Sequence, residues 1–331
     1  MIKTLSPLLA LAAAATLSAA ECQVTLTTSA YVNWNAINAS KKAGLYDAIE
    51  QEHHCRLEIV YYPDYLQSLN YFTAGKADAV TVTNLDQMTA LSSRPSTAVV
   101  LQDYSNGNDG LISRHGTSVK GLKGQEVWMV TKSISEQLWV KSAEKAGMDP
   151  YRDVTIKHMD LDSNLRAAYD AGKIDNIVTW NPALEYLVQQ TDSRKTLASS
   201  ADFPGIIVDM IVLGKDVADF GKKAEFLRAC WDKTAEVVHS GRGKAYNAFM
   251  TAIADDMGSS IGEAKTMLGG AKIFTPKEET DFYKNDLPAL QGDTYRLAAE
   301  NEFLAEPVAY TLHGKKGGDA ESPESVFFEI R

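Results

Sequence analysis

The chain has 331 residues, of which 45% are hydrophobic and 23% are charged, and its formal net charge is −10. This composition is that of an ordinary globular protein and excludes a disordered, fibrous or disulfide-scaffold chain. The length suits about two domains. The acidic balance argues against nucleic acid and against an anionic membrane surface as the main partner.

The first twenty residues are predicted to be a cleavable export signal. Lys3 gives a positive start, residues 8–17 are apolar but too short to cross a bilayer, and three small residues, 18–20, suit a cut after Ala20. A lipid-anchored protein would need a small residue before its cysteine, whereas Cys22 follows Glu21. We therefore expect a soluble, periplasmic protein.

Three cysteines remain after this signal, and an odd number leaves at least one of them free. Cys22 and Cys55 each open a strand-like run. If these runs are adjacent parallel strands, their starts lie about 5 Å apart, which a disulfide can span. Cys230 is in a helix-like stretch and is predicted to be a buried apolar residue.

Strand-like and helix-like stretches alternate along the chain, which predicts an α/β fold with parallel sheets flanked by helices. The predicted strands are 24–28, 57–62, 79–83, 97–102, 111–113, 126–130, 154–158, 177–180 and 207–213. The predicted helices between them are 36–42, 45–50, 65–74, 85–91, 135–146, 163–171 and 182–190. Beyond Asp216 we predict the helices 224–240, 244–257, 261–268 and 276–287, and a polar, Gly-rich loop over 314–325.

A short internal repeat relates residues 72–84 to residues 169–181. The identical positions are Gly75 and Gly172, Lys76 and Lys173, Asp78 and Asp175, and Asn84 and Asn181. Each copy reads as a helix end with a glycine cap, followed by a short buried strand. The A-G-K-x-D core alone is also a common way to stop a helix, but the matched strands favour two related lobes with equivalent strand ends.

Two such lobes would present their strand ends to one cleft, because open α/β sheets bind ligands beyond the carboxyl ends of their strands. That arrangement is typical of a hinged binding protein that closes on its ligand. It needs polar groups and aromatic walls but no catalytic machinery.

The sequence resembles the periplasmic substrate-binding proteins of ABC importers, in the nitrate/taurine-type branch that includes the thiamine-precursor-like proteins. The resemblance covers about residues 24–300, and its markers are the segments 41–46 (KKAGLY), 71–84, 119–130 and 170–187. Within this branch the chain is most similar to the subgroup associated with urea carboxylase, for which the family implies urea or guanidine as the transported substrate.

The resemblance implies a type II binding-protein fold with two lobes. Residues 21–106 and 210–331 would form the first lobe and residues 107–209 the second, with crossovers near 105–113 and 206–213. It also implies an ABC permease in the inner membrane as partner. We expect a monomer that uses no cofactor and no metal and binds no nucleic acid.

Aromatic, amide and acidic side chains that follow the predicted strands are the candidate ligand-binding residues. The set is Tyr31, Asn33, Trp34, Asp64, Tyr65, Thr83, Asn84, Asp86, Ser133, Asp162, Trp180, Asn181 and Asp209, with Thr131 and Lys132 also following a strand. Some have a simpler interpretation, since Tyr31 and Trp34 could pack in the core and Asp64 and Asp162 could only cap helices. Asp209 interrupts an apolar run, where a carboxylate is costly unless it is paired.

The charges of these loops favour a cationic or donor-rich neutral ligand. The available carboxylates are Asp64, Asp86, Asp162, Glu185 and Asp209, whereas Lys132 is the only obvious cation. An oxoanion site would need arginine, lysine or bare helix N-termini. Guanidinium is planar, charged and rimmed with donors, so we favour it over urea and over nitrate, sulfonate or bicarbonate. The alternative is that the acids only follow the acidic composition.

Enzyme and metal motifs are weak in this sequence, so we predict a protein that is not an enzyme. G-x-S-x-G, Walker and H-E-x-x-H patterns are absent. The adjacent His53 and His54 are poorly placed to hold one ion. The segment from Asp160 lacks the glycine and the last glutamate of an EF-hand. The alternatives that remain are a binding protein for a thiamine-precursor pyrimidine or another small amine, and a thiamine-precursor-type enzyme with His and Cys in its cleft.

Overall fold

The computed structural model describes residues 22–131, 133–190, 195–319, 321–322 and 324–330. The predicted export signal and Lys132 lie outside these residues. The strands are β1 Cys22–Ser29, β2 Cys55–Tyr62, β3 Ala79–Thr83, β4 Ser96–Ser105, β5 Asp109–Ser113, β6 Glu126–Val130, β7 Thr155–Met159, β8 Asn176–Trp180, β9 Lys195–Ser199, β10 Val208–Gly214, β11 Ala271–Ile273, β12 Ala309–Leu312, β13 Lys315–Gly318 and β14 Glu324–Phe328.

The α-helices cover both faces of the sheets. They are α1 Val32–Lys42, α2 Asp47–His53, α3 Tyr65–Thr73, α4 Asn84–Thr89, α5 Ile134–Lys145, α6 Asp162–Asp170, α7 Ala183–Gln189, α8 Phe220–Ser240, α9 Gly243–Met257, α10 Ile261–Gly269, α11 Pro276–Asn285 and α12 Leu287–Glu300. None of the helices in the described part of the chain is long and apolar enough to cross a membrane.

The strands form two separate sheets. The larger has the order β13-β12-β14-β4-β10-β3-β1-β2, with β11 also paired to β4, and the smaller has the order β7-β6-β8-β5-β9. The chain leaves the larger sheet at Ser105, enters the smaller one at Asp109, and returns between Ser199 and Val208. The strand that leads out, β4, and the strand that leads back, β10, are therefore neighbours at the place where the sheets meet.

The predicted α/β fold is confirmed, and its sheets are mixed rather than parallel throughout. β1 pairs in parallel with β2 and β3, whereas β10 runs antiparallel to β3 and β4, and β5 runs antiparallel to β8 and β9. The reason is the crossover itself. β5 and β10 each begin where the chain enters one sheet from the other. They therefore run away from the place where the sheets meet, antiparallel to the neighbouring strands that end there.

The segment 314–325 was predicted as a loop, but it contributes strands to the larger sheet, so the loop prediction is wrong. β12, β13 and β14 form a small unit whose strand β14 pairs in parallel with β4. Their sequences are short and partly glycine-rich, and their order comes from pairing with β4 rather than from a local pattern. β9, β11 and α12 were likewise not predicted.

The start of the larger sheet is fastened covalently. Cys22 lies opposite Cys55 in the β1–β2 register, and the two form a disulfide across 33 residues of sequence. Cys230 is a free thiol that is buried on α8, as expected. The strands next to this edge, β3 and β10, are buried along their whole length, so the ends of these strands are held in a rigid core.

Candidate functional site

The internal repeat places two equivalent strand ends at one site. Gly75 and Gly172 follow helices α3 and α6 with φ angles of 71° and 69°, the left-handed region that glycine adopts at a helix end. Each helix leads into a buried strand, β3 or β8. The last residues of these strands, Thr83 and Trp180, line the same cavity from the two sheets.

This cavity is small and lies where the two sheets meet. Its lining residues are Tyr31, Trp34, Tyr65, Thr83, Asp109, Ile134, Trp180, Ile207 and Asp209. Its volume is about 20 Å³ for the centre of a water molecule. Since one water needs roughly 10–15 Å³ by this measure, the cavity in this conformation admits only a ligand of very few heavy atoms.

Four aromatic side chains form a continuous wall of the cavity. Ring centroids are 5.1 Å apart between Tyr31 and Trp34, 5.0 Å apart between Trp34 and Tyr65, and 6.2 Å apart between Tyr65 and Trp180. Trp34 lies in the first turn of α1 rather than in the loop that we expected after β1. An aromatic wall of this kind attracts a flat cation through the negative faces of its rings.

Two carboxylates face the cavity, Asp209 from β10 and Asp109 from β5. Asp209 is opposite Thr83 on one neighbouring strand and opposite Asp103 on the other, so the three side chains share one face of the sheet. Burial, followed by the charge of Asp103, raises the pKa of Asp209 well above its usual range. Burial likewise raises the pKa of Asp103 and of Asp109 to about 7.

A fourth buried carboxylate, Asp86, lies beneath the aromatic wall. It accepts hydrogen bonds from the Tyr65 hydroxyl at 2.9 Å and from Thr83 Oγ1 at 2.8 Å. The backbone N–H of Ile134, at the start of α5 on the smaller sheet, also favours the ionised form of this carboxylate. Burial is the larger effect and raises the pKa of Asp86 to about 6.

No cation neutralises these acids from within the described residues. The groups that set the pKa values of Asp86, Asp103, Asp109 and Asp209 are carboxylates, hydroxyls and amides, and none is a lysine, arginine or histidine. Asp209 Oδ2 and both carboxylate oxygens of Asp103 are buried without a hydrogen-bond partner. Among the described residues the site therefore holds unpaired carboxylate oxygens and no positive charge, while the indole N–H of Trp34 on the lining is an unpaired donor.

Asn108, in the crossover between β4 and β5, forms hydrogen bonds to residues at this site. Its amide donates to the Tyr31 hydroxyl at 3.3 Å, and its Oδ1 accepts from Asn181 at 2.7 Å. The backbone N–H of Asn108 donates to the carbonyl of Gly270 at 3.2 Å. Asn108 thus joins the start of α1 and the end of β8, which carry the lining residues Tyr31 and Trp180, to the loop before β11.

Gly270→Ala is expected to disturb this junction. A Cβ at position 270 would lie 2.1 Å from Asn108 Oδ1, so Asn108 must move and the protein should lose about 1–3 kcal/mol of stability. Gly269→Ala is the matched control, because nothing lies within 4 Å of its Cβ position. Urea denaturation of the two variants measures the difference, and equal midpoints would contradict the role of Asn108.

Several predicted site residues lie near the cavity without lining it. Asn33 is buried, and its amide lies beside the Asp103 carboxyl. Asn84 bonds Thr294 and the N–H of Val208. Ser133 caps α5.

The final asparagine of each half of the repeat accepts a backbone N–H, but from different segments. Asn84 Oδ1 accepts the N–H of Val208, while Asn181 Oδ1 accepts the N–H of Glu185 and its amide bonds Asn108. Both residues hold the backbone beside the cavity rather than facing it. The residue before each of them provides the lining side chain.

Asp64, just before α3, and Asp162, at the start of α6, lie close to each other where the two sheets meet. Neither lines the cavity. Asp64 Oδ1 accepts a hydrogen bond from Ser163 at 3.0 Å, and Asp64 makes no cap hydrogen bond to α3. Burial, followed by the neighbouring Asp64, raises the pKa of Asp162 to about 7. Asp162 borders a wider outer groove of about 610 Å³ that shares Trp180 with the cavity.

Sequence reasoning missed Asp103, Asp109, Ile134 and Ile207. Asp103 directly follows the predicted strand 97–102 and was therefore excluded from it, whereas β4 continues to Ser105. Asp109 lies in a turn-like G-N-D-G segment that hid its place at the start of β5.

Comparisons with known proteins agree with this architecture. No family model and no curated protein matches the sequence. Among solved structures, the aliphatic sulphonate binding protein SsuA from Escherichia coli has a TM-score of 0.67 at 16% identity, over 86% of this chain and 94% of its own. The alkanesulfonate-binding protein SsuA from Xanthomonas axonopodis pv. citri, bound to MOPS, has a TM-score of 0.69 at 17% identity, over 87% and 96%.

These likenesses show the fold alone, because their identities are low. The chain has the α/β fold of the periplasmic binding proteins, as predicted. A mutant of DszB in complex with biphenyl-2-sulfinic acid also matches, with a TM-score of 0.55 at 12% identity over 89% of this chain and 95% of its own. The two neighbours with higher TM-scores are both named as sulfonate-binding proteins. Among the residues that the structure describes, no His, Cys, Asp and Glu cluster could hold a metal.

Proposed function

We propose that this protein is the periplasmic solute-binding component of an ABC importer, that it captures guanidinium between two closing lobes, and that it delivers it to a permease. The observation that carries the proposal is the set of four buried carboxylates beside an aromatic wall with no cation among the described residues. A small cation supplies what such a site lacks.

The chemistry of guanidinium matches the cavity on each side. Its planar face suits the rings of Trp34 and Tyr65, and its N–H groups suit the oxygens of Asp209 and Asp109. Asp209 Oδ2 has no partner within the described residues and would accept one of these donors. Urea has the same shape but no charge, so it gives the buried carboxylates no counterion.

The anionic ligands of the structural neighbours suit this cavity poorly. A sulfonate needs positive groups or free backbone N–H groups at helix starts. Here the N–H of Ile134 and the hydroxyls of Tyr65 and Thr83 already serve the carboxylate of Asp86. The carboxylate of Asp86 therefore already occupies the position in which these donors would stabilise an anionic ligand.

The small cavity also disfavours the other candidates. A thiamine-precursor pyrimidine has more heavy atoms than guanidinium and needs a larger cavity than this one, in which about 20 Å³ is open to the centre of a water molecule. An enzyme of that type would need a reactive histidine or cysteine, and the lining residues include neither. Closure would then work through binding alone, since each sheet contributes part of the lining and a ligand stabilises the closed form by its differential affinity.

Isothermal titration of the mature protein with guanidinium, urea, taurine and nitrate tests the proposal. We expect guanidinium to bind most tightly, urea to bind at least about tenfold more weakly, and the two anions to give no heat of binding. Tetramethylammonium serves as a control for charge without N–H donors, and we expect it to bind weakly. Tight binding of taurine or nitrate alone would refute the acid-lined pocket.

A further inference from the structure

We propose that Asp103 and Asp209 hold one proton between them in the empty pocket and release it when guanidinium enters. Asp103 does not line the cavity, yet by this means it would determine that the pocket selects a charged ligand over a neutral one of the same shape. The inference rests on the proposed function and describes how that site is regulated by protons.

The geometry of the pair supports a shared proton. Asp103 and Asp209 are opposite each other on the antiparallel strands β4 and β10, so their side chains lie on the same face of the sheet. Their exposed fractions are 0% and 2%. Two buried carboxylates placed in this way cannot both ionise without a counterion, and paired carboxyls in other proteins share a proton for this reason.

The nearest titratable groups do not provide that counterion. The start of α1 contributes the hydroxyl of Tyr31 and the neutral amide of Asn33. β5 contributes Asp109, a further acid, and α4 contributes Asp86, whose oxygens are bonded to hydroxyls. Every charged group close to the pair from these elements is therefore of the same sign.

The charged groups on the other neighbouring elements have partners elsewhere. On α8, Arg228 donates to a backbone carbonyl of β4 at 3.0 Å and His239 contacts a carbonyl of β11 at 3.1 Å. On α11, Glu279 accepts a backbone N–H of β4 at 2.8 Å. On β11, Lys272 pairs with Glu278 at 2.6 Å. None of these contacts gives a positive charge to the pair.

When guanidinium enters, its positive charge would replace that of the proton held by Asp103 and Asp209. Guanidinium is already a cation at neutral pH and has no proton to give up there, so the proton that leaves comes from the protein and passes to the buffer. The net charge of the closed pocket stays the same. Urea has no charge and leaves the proton on the pair, which predicts an affinity for guanidinium that rises with pH and an affinity for urea that does not.

Titration calorimetry in two buffers counts the protons. At pH 7 in phosphate and in Tris, whose ionisation enthalpies differ, the difference in observed heat gives the number released, and we expect about one per guanidinium bound. Asp103→Asn should release fewer protons, because the charge of Asp103 no longer adds to burial in raising the pKa of Asp209. Asp255→Asn, an exposed position on α9, should match the unsubstituted chain.

The outcomes separate this inference from the proposed function. Guanidinium binding with equal heats in both buffers would overturn the proton exchange and leave the function standing. No binding of guanidinium would overturn both. Undiminished proton release by Asp103→Asn would assign the proton to another group and overturn the role of the pair. If that variant does not fold, the affinity of the unsubstituted chain at about pH 6 and about pH 8 decides, since equal affinities would refute the exchange.

Discussion

Asp209→Asn is expected to weaken guanidinium binding by about 2–5 kcal/mol, which is roughly thirtyfold to several thousandfold in Kd. Asp209 faces the cavity from β10 and its Oδ2 has no partner within the described residues. In the complex it would be the carboxylate that pairs with the ligand. An asparagine keeps the shape of the side chain but offers the cation no charge.

The same substitution should leave the empty protein at least as stable as before. It removes one member of a buried pair of acids, and the remaining negative charge of this pair costs stability whenever the ligand is absent. At pH 8 the guanidinium affinity measured by calorimetry should therefore fall, while the unfolding temperature of the empty protein stays the same or rises. This difference separates lost binding from lost folding. Asp255→Asn, exposed on α9, controls for the loss of one negative charge elsewhere. An unchanged guanidinium affinity of Asp209→Asn would remove Asp209 from the site.

Asp209 could be predicted because its surroundings in the sequence are uniformly apolar. The eight residues from Ile206 to Leu213 contain one charged side chain, and burial of that charge requires a partner. The aromatic residues Tyr31, Trp34, Tyr65 and Trp180 were found for a related reason, since each follows or ends a predicted strand where an α/β fold binds its ligand.

The rest of the site depends on contacts between distant segments. Asp103 could not be assigned from the sequence, because the predicted strand ends at Gln102 and β4 continues to Ser105 through its pairing with β10. Asn108 owes its role to Gly270, which is far along the chain. No local pattern specifies such a contact.

The same limit explains the missed strands of the larger sheet. β14 pairs with β4, which precedes it by some two hundred residues of sequence, and β12 and β13 follow beside β14 in the sheet. The segment 314–325, which contains β13 and the start of β14, is polar and glycine-rich when considered alone. In contrast, β1 and β2 were predicted correctly because alternating or continuous apolar runs mark them without help from a partner strand.

The empty protein is expected to lose stability as the pH rises from about 5 to about 8. Burial raises the folded-state pKa of Asp86 to about 6 and those of Asp103 and Asp109 to about 7, above the value near 3.9 of an unfolded aspartate. In this window the folded state binds more protons than the unfolded state, so the free energy of unfolding falls as pH rises. Acids with lowered pKa values, such as Glu278 at about 2, complete their titration below the window.

The expected loss is about 2 kcal/mol for each of Asp103 and Asp109 over this range. Urea denaturation at the two pH values measures it. Asp103→Asn should reduce the loss, Asp255→Asn should leave it unchanged, and saturating guanidinium should reduce it by giving the ionised carboxylates their missing counterion. A free energy of unfolding that is constant or rises between these pH values would show that the buried acids are stabilised in the empty protein by a group other than a ligand, and the argument for a cationic ligand would lose its electrostatic basis.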